Sequence, residues 1–156
     1  MQQQEQELVY GGFWIRVGAA LIDTLLLSMI IAPILTFIYG EEYWISQDFL
    51  YGTWDILLNY LFPAIAVLIF WSYKSATPGK MLLKLKIVDA KTGGKPTTGQ
   101  LVIRYLGYYV STIPFLLGLI WVGIDKRKQG WHDKLADTVV VRHQQQTAVT
   151  FDEEAP

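Results

Sequence analysis

The sequence predicts an α-helical integral membrane protein with two transmembrane helices, a third apolar segment broken by a proline, and a small cytoplasmic β element. Three observations carry that prediction. Apolar runs at about 15–38 and 56–73 lie near or above the roughly 20 residues that cross a bilayer, and a third extends over 101–124. The connections differ in charge: Lys74 to Gln100 holds six lysines, whereas Gly40 to Trp54 holds Glu41, Glu42 and Asp48 and no Lys or Arg. After the second run, Leu83-Lys-Leu-Lys-Ile-Val-Asp alternates apolar and charged residues, the period of a strand with one wet face.

Composition narrows the function classes. Of 156 residues, 52% are apolar, high for a soluble chain of this length, and the length suits one compact unit. The formal net charge is −1, so no global field favours nucleic acid. The absence of cysteine excludes disulfides and thiolate metal sites. His132 and His143 alone do not make a metal site, and no cofactor is implied.

In chain order, residues 1–9 are Gln-rich and expected to be disordered, as is an acidic tail over 143–156. Residues 10–142 form the membrane domain. The start lacks the basic n-region of a signal peptide, so the apolar run after it is expected to stay as an anchor. The first span carries two ionised residues, Arg16 and Asp23, each costing at least about 2.5 kcal/mol to insert, so they mark a site by default. Tyr39, Tyr43, Trp44, Tyr51 and Trp54 crowd the acidic connection like an interfacial belt. In the second span Pro63 is expected to bend the helix and free a carbonyl that neighbours must satisfy. Lys91-Thr-Gly-Gly-Lys-Pro is expected to turn.

The lysine-rich connection belongs on the cytoplasmic side and the acidic one outside. This rule places the N-terminus in the cytoplasm and the chain in the cell (inner) membrane as a multi-pass protein. The same lysines suit acidic lipid headgroups, at about 1 kcal/mol each.

The third apolar stretch gives two signals. Its length allows a single helix of about 36 Å. That would leave Lys126, Arg127, Lys128, Lys134 and Arg142 on the outer side, against the charge rule. Pro114 instead allows a helical hairpin that enters and leaves on the cytoplasmic side, letting Thr138-Val-Val-Val pair with Leu85-Lys-Ile-Val-Asp. Before the proline, Arg104, Tyr108, Ser111 and Thr112 form a polar stripe on one helix face.

Arg16 and Asp23 are seven residues apart, so they share a face about 10 Å apart along the axis. Helical side chains lean toward the N-terminus, which carries Arg16 away from Asp23 and disfavours a direct pair. Asp23 is therefore expected to find Arg104 or a hydroxyl of Thr24, Tyr108, Ser111 or Thr112, with Gly18-Ala-Ala admitting a close neighbour. The plain alternatives are an Arg16 that snorkels to the headgroups and an Asp23 pair that only fixes packing. Ala76-Thr-Pro-Gly-Lys-Met makes a tight turn in which Thr77 bonds the local backbone and Lys80 points back to the membrane face. His132 has no neighbouring nucleophile in sequence, and Asp133 is expected to cap or anchor the final segment.

Taken in order, Arg16 followed by Ala20-Leu-Ile-Asp23, Thr77-Pro-Gly-Lys80, the strand ending Val88-Asp-Ala-Lys-Thr-Gly93, and His132-Asp133 before Thr138-Val-Val-Val resemble the RDD family of membrane proteins. The resemblance extends from about Tyr10 to Arg142. It matches Arg16 to the family's arginine, Asp23 to its first aspartate and Asp133 to its second. Ala136-Asp137-Thr138 departs from the Ala-Gly-Thr expected there. The resemblance implies a membrane domain for which ligand transport has been proposed, and sodium/proton antiport for some members, with no catalytic residue set.

Two functions compete. In a transporter or cation/proton exchanger, Asp23 alternates between protonated and cation-bound forms, with Arg16 and Asp133 as counter-charges. So small a chain would then need a homo-oligomer and a small ion or ligand as cargo. In an interaction or assembly protein, the same charges only fix helix packing. An enzyme is disfavoured: the sequence shows no paired carboxylates, no Gly-rich phosphate loop and no nucleophile–base pair.

Overall fold

The computed structural model describes residues 7–144. The elements run β1 (Glu7–Tyr10), α1 (Phe13–Tyr39), α2 (Glu42–Ile45), α3 (Thr53–Ile56), a π turn (Leu57–Leu61), α4 (Phe62–Lys74), α5 (Pro78–Leu82), β2 (Leu85–Asp89), α6 (Thr98–Thr112), α7 (Leu117–Ile124), α8 (Trp131–Leu135) and β3 (Thr138–Gln144). Two stretches, Phe13–Tyr39 and Thr53–Leu82, are long and apolar enough to cross a membrane. Their Leu21, Leu25, Met29, Phe37, Ile65 and Ile69 face outward, the arrangement of helices solvated by lipid.

Pro63 sits in the first turn of α4, where its missing N–H breaks no ladder of that helix. The π turn just before it absorbs the mismatch that the sequence expectation assigned to a bend.

The third apolar stretch divides at Pro114, with Phe115 and Leu116 both at positive φ (53° and 63°). The axes of α6 and α7 meet at a 101° bend. On either side of this pair, β2 and β3 hydrogen-bond antiparallel from Leu85↔Arg142 to Asp89↔Thr138. This is the strand pairing expected of the hairpin alternative, and it brings both ends of α6–α7 back to one sheet.

β1 adds to the other edge of β3, giving the order β1-β3-β2. Residues 7–9 therefore pair in a sheet and do not belong to a structureless start. The expected disorder of residues 1–6 and most of the acidic tail lies outside the described residues. All three strands gather the segments that flank the spans at one end of the protein, called here the sheet end.

The core lies where this sheet meets the helices: Leu85, Ile87 and Val140 pack with Ala19, Trp71 and Leu101. A capping box starts α6, with Thr97 N–H donating to Gln100 Oε1 and Gln100 N–H to Thr97 Oγ1. Gln100 Nε2 also donates to Asp89 Oδ2 at 2.6 Å and to the Asp137 carbonyl, fastening the helix to the turns beyond β2 and before β3. The predicted turn after β2 is built on Asp89, whose Oδ1 accepts from the backbone N–H groups of Lys91 and Thr92.

Candidate functional site: a buried charge cluster and two cavities

Arg16 enters at the first turn of α1, and the fold swings α8 against it. Its Nη1 donates to Asp133 Oδ2 at 2.5 Å, its Nε to the Gly11 carbonyl at 2.8 Å and its Nη2 to the Lys128 carbonyl. The guanidinium is thus held in place and does not snorkel. Asp133 also takes Arg104 Nη1 on its Oδ1 and the Gly130 N–H on its Oδ2, the latter at 2.9 Å. The expected anchoring of the last segment is present, and the same carboxylate bridges two arginines. Arg104 Nη1 further donates to Thr138 Oγ1 at 2.7 Å, tying α6 to β3. Arg104 and Asp133 are completely buried. Burial raises the Asp133 carboxyl, but the guanidiniums of Arg104 and Arg16 outweigh it and hold the group well below the usual carboxylate range.

Asp23 takes none of the partners expected from the sequence. Thr77 Oγ1 donates to its Oδ2 at 2.5 Å and the Gly79 N–H to its Oδ1 at 2.7 Å. The turn before α5 lies across α1, so Thr77 serves the first span and not its own backbone. A Cβ on Gly79 would fall 2.1 Å from the Ala19 carbonyl oxygen, and only glycine allows this approach. The small run Gly18-Ala-Ala does admit a close neighbour, and that neighbour is α5.

His132 packs its ring on Tyr108, centroids 4.0 Å apart. Its Nδ1 lies 3.3 Å from Ser111 Oγ, its backbone N–H donates to that oxygen at 3.1 Å, and its Nε2 is 3.4 Å from Asp133 Oδ2. A Ser-His-Asp trio is therefore present in space, but it is closed. Ser111 is fully buried under Gly118, whose Cβ would meet it within 3 Å. Burial pushes the His132 imidazole down to about 3 and leaves it a weak base; Asp133 opposes the shift, while Arg104, Arg16 and Lys80 add to it. Thr112, the last residue of the predicted polar stripe, is exposed and bonds the Tyr108 carbonyl.

Two cavities, each of about 290 Å³, border Asp23. One opens between α1 and α7 and is lined by Arg16, Asp23, Lys80, Tyr108 and His132 together with apolar residues. The other lies between α1 and α4, against Asp23, Thr77, Ile30, Phe62 and Phe70. Asp23 is common to both.

Sequence reasoning missed a second buried carboxylate. Asp55, 4% exposed in the second span, accepts from Tyr43 Oη and Asn59 Nδ2 at 2.6 Å each and from the Tyr51 N–H at 3.0 Å. Asn59, one helical turn on within an apolar run, was the available signal. Among the described residues no group of three or more His, Asp or Glu side chains is placed to hold a metal ion.

The model of the RDD family matches residues 10–137. A Rickettsia prowazekii (strain Madrid E) protein, the uncharacterised RP437, is 30% identical over 175 residues, covering 88% of this chain and 99% of the relative. The uncharacterised membrane protein YteJ of Bacillus subtilis (strain 168) is 32% identical over 146 residues, covering 88% of this chain and 86% of the relative. YxaI of the same organism, also uncharacterised, is 32% identical, with 83% and 95% covered. No solved structure matches. With this match over most of the chain, two spanning helices, a bent third pair and a small sheet, the protein belongs to the RDD family and is a multi-pass integral membrane protein.

Proposed function

We propose that the chain is a small transporter or cation/proton exchanger that works as a homo-oligomer, with Asp23 as the exchanging carboxylate and the sheet end in the cytoplasm. One observation carries this: Asp23 borders both cavities. A carboxylate between two spaces has a route for a proton on one side and a cation on the other, provided Thr77 and Gly79 release it in turn. Arg16 and Asp133 supply fixed counter-charge at the inner mouth. The lysines of the sheet-end connection support the orientation. Two spans and a bent pair enclose little volume, so further copies complete the path. Proteoliposomes test the assignment: cation-dependent proton flux is expected with the native protein and lost in Asp23→Asn. Undiminished flux in that variant removes Asp23 from the mechanism.

A second function is favoured by a different observation. Arg16, Asp23 and Asp133 each already have partners within the chain, as charges that only fix helix packing would. The protein would then be a membrane interaction or assembly protein whose exposed lysines bind acidic headgroups. Asp23→Asn would lower folded yield, the native protein would carry no flux, and a stoichiometric partner would co-purify.

A further inference from the structure

Lys80 differs from the other lysines of its connection. It is 8% exposed, and its side chain lines the cavity between α1 and α7. Its Nζ lies 5.3 Å from the Trp71 ring centroid, and among the described residues no carboxylate comes within salt-bridge distance of it. The other charges of this wall are already committed: Arg16 to Asp133 and to two carbonyls, Asp23 to Thr77 and Gly79.

The layer behind Lys80 is also short of acceptors. Arg104 Nε and Nη2 and Trp71 Nε1 are buried and have no hydrogen-bond partner among the described residues. Among the described residues, the three cations Arg16, Lys80 and Arg104 are accompanied by the two carboxylates Asp23 and Asp133, one fewer than the cations. A buried ammonium with nothing opposite it is costly, and either it sheds its proton or a ligand brings the counter-charge.

The rest of the lining is largely apolar, with Val17 on α1 and Leu119 and Ile120 on α7, and α7 turns Leu117 and Ile124 outward. At about 290 Å³ the cavity is at the small end of ligand sites, roughly 300–1,000 Å³, so it holds a headgroup and the first part of a chain.

We propose that this cavity binds an anionic amphiphile, its phosphate or carboxylate seated on Lys80 and its apolar body lying along α7. The site stands whether or not Asp23 exchanges ions. It is distinct from headgroup binding by the exposed lysines, because its cation is enclosed.

Full-length protein in uncharged detergent is titrated with dodecyl phosphate, with dodecyl phosphocholine as the zwitterion of equal chain and inorganic phosphate as the anion without a chain. Saturable protection against thermal unfolding by dodecyl phosphate is expected, with the two controls at least about tenfold weaker. Lys80→Met should weaken dodecyl phosphate by about tenfold or more, and Lys80→Arg should retain it. Should Lys80→Met not fold, Leu119→Trp fills the cavity without touching a charge and should weaken the same probe. Equal protection by dodecyl phosphocholine or inorganic phosphate, or unchanged affinity in Lys80→Met or Leu119→Trp, overturns the proposal. The source is read from lipid retained through purification. A stoichiometric anionic lipid that is lost in Lys80→Met identifies a membrane lipid. Dodecyl phosphate binding with no retained lipid identifies a soluble amphiphile.

Discussion

The two ends of the spans each bury a carboxylate, and they hold it by different chemistry. At the sheet end, Asp133 sits between the guanidiniums of Arg16 and Arg104. At the other end, the partners of Asp55 among the described residues are all neutral donors, a phenol, an amide and a backbone N–H. The first arrangement binds elements far apart in sequence: Arg16 and Asp133 are separated by 117 positions. The second ties Asp55 to groups within 12 positions of it, and so closes the local connection between the spans. The cationic cluster therefore assembles the fold, while the neutral cluster trims one end of it. Each carboxylate is also exposed to a different failure, since removing Asp133 strands two cations and removing the charge of Asp55 strands none.

That contrast can be broken in three ways, the largest first. Asp133→Asn leaves Arg104 and Arg16 without a counter-charge, and a loss of about 3–5 kcal/mol is expected, seen as collapse of folded yield and a lower melting midpoint in detergent. An unchanged midpoint would mean the guanidiniums do not depend on this carboxylate. Asp55→Asn keeps one acceptor oxygen for Tyr43 and turns the other group into a donor that meets the Tyr51 N–H. A loss of about 1–3 kcal/mol is expected by the same measurement, and a loss equal to that of Asp133→Asn would erase the distinction.

The third test uses pH. His132 is pressed down to about 3 in the folded protein from an ordinary value near 6.5, so unfolding takes up a proton between those limits. Its contribution is fully present above about pH 6.5 and is lost as pH falls toward 3, amounting to about 1 kcal/mol at about pH 5.5. The Asp133 carboxyl is also depressed, so its share persists above about pH 4 and fails only below it. Melting midpoints measured from pH 7.5 to 5 should fall in the native protein and flatten in His132→Gln. Parallel slopes would place the titrating group elsewhere.

Some of the site was legible in the chain. Arg16 and Asp23 stand out because charge within an apolar run is costly, Asp133 stands out as a cap and by the family motif, and the lean of helical side chains already argued against an Arg16–Asp23 pair. The partner of Asp23 was not legible. Nothing local in Thr77-Pro-Gly-Lys80 says that this turn lies across the first span; the closeness of Gly79 to Ala19 shows it. The Gln-rich start concealed β1, because a four-residue edge strand has too few side chains to show a period. The odd Asp137 becomes intelligible in three dimensions. Its φ is 50°, a left-handed position that glycine takes freely and aspartate tolerates better than most residues.

The sequence by itself determined the two spans and the residues whose charge had to be answered, and it offered the break at Pro114 with the pairing of β2 and β3 as one of two readings, between which the 101° bend and the sheet decided. Hydrophobic length, proline and period-two alternation are local properties, and they act whatever the rest of the chain does. Only the tertiary structure decided which charge answers which. A carboxylate in a poorly solvated interior takes whatever donors the packing brings within about 3 Å, and that distance is set by helices and turns remote in sequence. The sheet fixes it here by drawing the segments before the first span, after the second and after the bent pair to one end. Arg16, Arg104 and Asp133 meet there as a consequence of that closure, and Lys80 is left facing the cavity with no anionic partner among the described residues.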